Sequence, residues 1–580
     1  MVTADNPTSI ADPNQWQPPD PPDPRIPSDF PPWQTWPSLY PDAYPEAGRA
    51  IPHEPLTGYL QGGYHPVSIG DLLRNRRYLI RFKLGYGVHS TVWLAQDLEH
   101  RRDEGKEQES EEPQPARATA REILHRRRIS VSCERKGCDY QGCEATKWVV
   151  LKIKTAESSP TNAEEDAEVR TLKLLETRWQ GKIGMEGASE PYYSALIDHF
   201  CLEGPNGRHL CLVLEFLGPC VWNVVDACAM YGDSVRPDTI LRSTVQLLKA
   251  VDKAHEAGVA HGDISLGNVL FTCHAFLDDF HYSSSSGSCT SSECGDLQSD
   301  LTDATIPQPP QPTHAKEQTG PATALPESTF ETLGGGPQIA PYASISHPRP
   351  PFLPPQLVKT ATWVKWKDSS AEDIRIVDWE QAFPVSAKVD RKSLAQPLDL
   401  RSPETFFEGQ IGPKGDLWRI YILFYQQLPF PFASGPDTSF IQRIIEKLGP
   451  LPPAYQNKYD ALIERETQAQ LNPASTTSFS PANANTPSPS KNKRKPADLS
   501  LDLGAPSKLL HKSFELRRNM IADGIRRSGS DEHTGYDLES LTCLLPIMQG
   551  LLRWEPQERI SAKEALRVLE TEWRDHRREM

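Results

Sequence analysis

His261-Gly262-Asp263-Ile264-Ser265-Leu266-Gly267-Asn268-Val269-Leu270-Phe271 is the stretch on which the reading of this chain turns. An acid stands two residues after a histidine, and an asparagine stands five residues after the acid. The apolar run Val269-Leu270-Phe271 then starts a strand. H-x-D-x-x-x-x-N is the spacing of a phosphoryl-transfer loop. Its Asp can accept the proton of an attacking hydroxyl, and its Asn oxygen can hold a metal ion on nucleotide phosphates. The weight of so short a pattern depends on what lies to either side.

Upstream, residues 78–84 and 90–95 read as two strands joined by Gly85-Tyr86-Gly87. Glycines there let the backbone approach phosphates and offer N–H donors. A plain hairpin turn has the same look, and the strand–loop–strand context favours the phosphate reading over a dinucleotide site. Val149-Val150-Leu151-Lys152 places a lysine in an apolar strand, residues 147–155. Such a lysine must snorkel or find a partner. An edge-strand lysine is the plain reading; Glu168, one of several acids on a helix read over 163–177, is the partner that would aim Lys152 at the α- and β-phosphates. Residues 209–217 read as a buried strand, and 236–257 as an apolar-striped helix leading into the loop. Downstream, Val377-Asp378-Trp379-Glu380 follows a short strand and places Asp378 to chelate a metal. A turn aspartate is the alternative, and the order Lys152, Asp263, Asn268, Asp378 disfavours it.

Composition bounds the rest. The chain has 580 residues and 54 Pro, with 37% apolar residues, so much of its length is read as lying outside a packed core. No apolar run of membrane-spanning length occurs, and the Pro-rich, acidic start reads as no secretion signal. Eleven scattered cysteines point to a reducing compartment. A formal charge of −15 disfavours direct nucleic-acid binding and suits a basic protein partner. Residues 1–60 are read as a disordered Pro-rich tract, 99–146 as a charged insertion, 272–371 as a disordered spacer and 466–506 as a polar insertion. The ordered parts are then an N-lobe, 61–217, and a C-lobe, 218–271 with 372–580.

The chain resembles the eukaryotic protein kinases, and within them a divergent, fungal-type member of the SR-protein kinases. Three features carry this. They are the approach Gly62-Gly63-Tyr64-His65-Pro66-Val67-Ser68-Ile69-Gly70-Asp71, the loop Leu84-Gly85-Tyr86-Gly87-Val88-His89-Ser90-Thr91-Val92-Trp93-Leu94, and the spacer placed directly after the 261–268 loop. The resemblance implies an α+β, two-lobed kinase fold and an ATP- and Mg²⁺-dependent serine/threonine kinase. It implies catalytic Asp263, Lys152 and Glu168. It implies a nucleotide site of Leu84, Gly85, Gly87, Ser90, Val92, Lys152, Glu215 and Leu217 behind gatekeeper Leu214, with Asn268 and Asp378 on the metal. It also implies a buried Glu404–Arg559 pair and an Asp416 bracing the catalytic loop. The expected partner is a basic Arg/Ser-rich protein such as a splicing factor, with no direct nucleic acid and no membrane. A monomer in cytoplasm and nucleus is expected.

Four positions depart from the family pattern. Ser265 stands where a lysine touching the γ-phosphate is usual, Glu380 replaces a glycine, and Leu400 replaces a tyrosine. Gly262 stands before Asp263 in place of arginine, which removes the ready cationic partner for a phosphate on residues 385–400. H-G-D with V-D-W-E is similar to aminoglycoside and choline phosphotransferases, so a small-molecule kinase is one alternative. A catalytically weak pseudokinase or scaffold is the other. Cys133, Cys138 and Cys143 are too widely spaced for a zinc site, and Lys491-Asn492-Lys493-Arg494-Lys495 is read as a solvated run or a nuclear signal.

Overall fold

The computed structural model describes residues 43–44, 52–98, 147–180, 192–273, 327–343, 348–364, 366, 372–394, 397, 400–425, 436–471, 506–528 and 538–579. The insertion 99–146 with its three cysteines, the Ser-rich run 283–286 and residues 491–495 lie outside the described residues.

Strands β1 (Leu72–Leu73), β2 (Tyr78–Gly87), β3 (Ser90–Asp97) and β4 (Lys147–Lys154) come first. Helix α1 (Ala167–Gln180) and strands β5 (Leu196–Gly204) and β6 (Gly207–Glu215) follow. The strands form one antiparallel sheet, ordered β1-β2-β3-β4-β6-β5. Alternation decides what its faces present. Val149, Leu151 and Ile153 of β4 pack on one face with Ile80, Trp93 and Val213. Trp148 and Val150 pack on the other, with Val169 and Leu172 of α1. Lys152 and Lys154 fall in that second set, so both reach toward α1.

The C-lobe begins with α2 (Val221–Met230) and α3 (Pro237–Glu256), whose buried stripe includes Ile240, Leu247, Leu248 and Val251. Short strands β7 (Val259–Ala260) and β8 (Val269–Phe271) bracket the 261–268 loop. Helix α4 (Glu327–Leu333) and strands β9 (Ile339–Pro341) and β10 (Gln356–Val358) come next. Strand β11 (Ile374–Ile376) then pairs with β8, and β12 (Phe383–Pro384) with β7. These two ladders press residues 377–382 against the 261–268 loop across a gap of more than 100 residues of sequence. Helices α5 (Pro403–Phe407), α6 (Lys414–Arg419), α7 (Ile422–Tyr425), α8 (Asp437–Leu448), α9 (Pro453–Leu471), α10 (Pro506–Ser528), α11 (Leu545–Leu551) and α12 (Ala562–Glu579) complete the lobe. The chain thus adopts an α+β, two-lobed kinase fold.

Three tracts read as disordered prove partly built into the fold; of the insertion 466–506, residues 466–471 finish helix α9, and Glu466 accepts from the Thr438 hydroxyl. The spacer reading of 272–371 fails for residues 327–343 and 348–364. Strand β9 pairs with β10, and Ala340 and Leu357 pack on Ala43 and Tyr44. Phe352 and Leu353 pack on Tyr59 and Tyr64, and Val358 enters the core of the sheet. The Ala361 N–H donates to the Lys83 carbonyl at 2.9 Å, and Trp363 stacks on Phe216 with centroids 6.3 Å apart. Likewise, residues 52–60 lie against the N-lobe, where Glu54 pairs with Lys83 and accepts the Tyr59 hydroxyl. Lys83 is fully buried, and a buried ammonium needs a counter-charge. Strands β9 and β10 have three residues each, too few to write a period, and Phe352, Leu353, Ala361 and Trp363 lie outside strands and helices.

The expected consequence separates the two parts of the spacer. Deleting residues 275–326 leaves the melting temperature near wild type. Deleting 327–364 lowers it by about 5–10 °C, because the sheet and Tyr59 lose their cover. Differential scanning calorimetry on both deletions checks this.

Candidate active site

The cleft between the lobes holds a cavity of ≈ 510 Å³. Leu84, Gly85, Gly87, Ser90, Val92, Lys152, Glu168, Glu215, Leu217, Asn268 and Asp378 all line it. A Cβ built on Gly85 or Gly87 would meet nothing within 4 Å, so the loop's inner face is open. Tyr64, from the approach segment, donates its hydroxyl to the Gly87 carbonyl at 2.7 Å and steadies the loop from outside.

On the cavity wall the Lys152 ammonium lies 2.8 Å from Glu168 and 2.6 Å from Asp378. Burial alone would pull its pKa down, yet the two carboxylates outweigh burial and hold it above the ordinary lysine range. The same ammonium holds the Asp378 carboxyl below the usual carboxylate range. Asp378 sits in left-handed backbone, φ 65°, which is uncommon for a residue with a side chain. That turn swings its carboxylate from β11 into the cavity. The Val377 N–H donates to the Asn268 carbonyl at 3.0 Å, and His261 Nε2 lies 3.0 Å from the Val377 carbonyl.

Asp263 is beside the cavity, not in its lining. Asn268 Nδ2 donates to the Asp263 carbonyl at 2.8 Å and to its Oδ2 at 3.2 Å. This leaves the Asn268 side-chain oxygen free of that pair. Asp416, on α6, accepts the N–H groups of His261 and Gly262 at 2.7 and 2.9 Å and holds the loop from below. Deeper in the C-lobe, Glu404 and Arg559 form a buried two-pronged pair at 2.8 and 2.5 Å.

Three features escape the sequence reading. Thr360, Ala361 and Trp363 from the far end of the spacer line the cavity beside the hinge. The aromatic and aliphatic cluster over 352–366 was the available signal. Lys154 lies 2.7 Å from Asp166 and 3.6 Å from Glu380. The acid that replaces a glycine after Asp378 therefore has a cation of its own, two residues along the strand from Lys152. The third is Arg419, whose signal was a charge inside Leu417-Trp418-Arg419-Ile420-Tyr421.

Comparison with known proteins follows this geometry. No family model matches the chain. Protein kinase dsk1 of Schizosaccharomyces pombe is 30% identical over 214 residues, 37% of this chain and 29% of its own length. Serine/threonine-protein kinase SKY1 of Saccharomyces cerevisiae is 28% identical over 219 residues, 37% and 23% of the two chains. SRSF protein kinase 3 of Homo sapiens is 28% identical over 217 residues, 37% and 28%. The chain is similar to these kinases over some 214–219 residues. Each match spans under a third of the relative's length.

The Lys154 network makes a stability prediction. Lys154→Met leaves Asp166 buried without its cation and should cost about 3–5 kcal/mol. Adding Glu380→Gln should recover part of the loss, because a carboxylate near the vacated position becomes neutral. Chemical denaturation of the single and double variants measures both.

Proposed function

We propose that the chain is a serine/threonine protein kinase that transfers the γ-phosphoryl group of ATP, with Mg²⁺, to serine in Arg/Ser-rich proteins. The observation that carries this is the convergence of Glu168 and Asp378 on the Lys152 ammonium, at 2.8 and 2.6 Å, in the lining of the cavity under the Gly85–Gly87 loop. The donor set suits the group. Among the described residues no cluster of three or more His, Cys, Asp or Glu exists that could hold a metal. One carboxylate, Asp378, and one amide oxygen, Asn268, suit a cation that takes its remaining ligands from phosphates and water.

Bound Mg·ATP supplies the transferable phosphoryl group and the charge that neutralises it. The residues supply position. The Gly85–Gly87 backbone covers the phosphates, and Lys152, held by Glu168, orients them. Leu84, Val92 and Leu217 enclose the base against the Glu215–Leu217 hinge. Asn268 and Asp378 would hold the metal. Asp263 orients the serine hydroxyl and takes its proton. A basic substrate is supported by the formal charge of −15 and by the similarity to SRSF protein kinase 3.

Asp263→Asn and Lys152→Met should each lower turnover by at least ~10²-fold while the protein still melts cooperatively. Radiolabelled phosphate transfer to an Arg-Ser repeat peptide measures it. Transfer by Asp263→Asn equal to wild type would leave the scaffold reading in its place.

KM for the Arg-Ser repeat should climb as salt rises, because exposed Arg–carboxylate pairs are screened over about 8–10 Å near physiological ionic strength. A neutral serine peptide used equally well removes the Arg/Ser assignment alone. Turnover of choline or an aminoglycoside, with no peptide phosphorylated, removes the protein-kinase reading.

A further inference from the structure

The 261–268 loop carries no arginine and no lysine of its own. At position 262 none could stand. Gly262 has φ +81°, and a Cβ there would lie 2.6 Å from the Gln381 carbonyl oxygen and 3.2 Å from the Phe383 ring. At position 265 a neutral serine occupies the site. Asp263 nevertheless faces a cation. The Arg419 guanidinium, at the end of α6, reaches up beneath the loop and places Nη1 3.0 Å from Asp263 Oδ1.

The setting of Arg419 is unlike that of a surface pair. It is 1% exposed, between buried Trp418 and buried Ile420. Its Nε donates to the Leu400 carbonyl at 3.1 Å, and Nη1 also donates to the Ile264 carbonyl at 3.2 Å. Its Nη2 is buried with no hydrogen-bond partner. A guanidinium kept in an apolar layer at that cost needs a reason beyond packing, since a hydrophobic residue of like volume would fill the space without the penalty.

The geometry supplies the reason. Both oxygens of Asp263 are held by fixed donors, Oδ1 by Arg419 and Oδ2 by Asn268. Each carboxylate oxygen accepts two bonds, so lone pairs remain for a substrate hydroxyl. The rotamer of the carboxylate is thereby set before substrate arrives. The bond to Leu400 also links Asp263 to the stretch just before Arg401-Ser402-Pro403-Glu404, at the end of the activation segment. The link is a permanent side chain and needs no phosphate.

We propose that Arg419 is the positioning residue for Asp263. It supplies from helix α6 the cation that the loop lacks, and ties the proton acceptor to residue 400 without phosphorylation. This rests on the reading of Asp263 as the base.

The test is a kinetic double-mutant cycle on the full chain, using ATP and an Arg-Ser repeat peptide. It compares wild type, Arg419→Met, Arg419→Lys, Asp263→Asn and the Asp263→Asn/Arg419→Met double variant, each checked for cooperative melting. Arg419→Met should lower kcat ~10²-fold, the scale of a misplaced catalytic group, with KM for ATP within about threefold of wild type. Arg419→Lys, which keeps the charge, should recover about tenfold. In the Asp263→Asn background the Met substitution should add almost nothing, because the two groups act as one unit. Phosphatase treatment should leave wild-type kcat unchanged.

A folded Arg419→Met with near wild-type kcat, beside an impaired Asp263→Asn, overturns the proposal and leaves the kinase reading standing. So does a double variant in which the two losses multiply. Should Arg419→Met not melt cooperatively, Arg419→Gln takes its place under the same criteria. No phosphate transfer by wild type removes the function reading, and this proposal with it.

Discussion

A single ammonium, that of Lys152, sits between two carboxylates from opposite sides of the cleft. Glu168 belongs to α1 of the N-lobe, and Asp378 follows β11 of the C-lobe. Removing either acid leaves the ammonium bound to one lobe alone, so the tie across the cleft is lost. The trio therefore registers one lobe against the other. The shape of the cavity follows from that registration, because its roof is N-lobe sheet and its floor is the 261–268 loop.

The same rule recurs at three other charges of the fold. Glu380, in a glycine position, has Lys154 within 3.6 Å. Lys83, buried in β2, has Glu54 from a tract outside the sheet. Asp263, without a cation in its own loop, has Arg419 from α6. Each buried charge is met, but by a residue from an unexpected element. A motif can drift in sequence as long as the local charge balance is restored from a neighbour in space.

The strap formed by residues 327–343, 348–364 and Trp366 adds a second tie between the lobes. It crosses the N-lobe sheet at Val358, bonds to β2 at Lys83, stacks on the hinge at Phe216, and packs Trp366 against Phe271 of β8, with ring centroids 5.0 Å apart. Trp363 takes φ 56° to make that passage. The hinge side of the cavity is thus walled by a segment that lies, in sequence, between the two strands β8 and β11.

Strands β2 to β4, helices α1 and α3, and the order of Lys152, Asp263, Asn268 and Asp378 were legible in the sequence. Period and spacing are local properties, and regular elements write them directly into residue order. The Lys152–Glu168 pair was legible because an apolar strand leaves a lysine few places to go. Arg419 beside Asp263, Lys154 beside Glu380 and the strap against the hinge were decided only by tertiary structure. Their partners lie far apart in sequence, and no periodicity marks an irregular segment that packs. Which carboxylate meets a buried cation depends on how strands, loops and helices are stacked in space, and residue order alone does not contain that stacking.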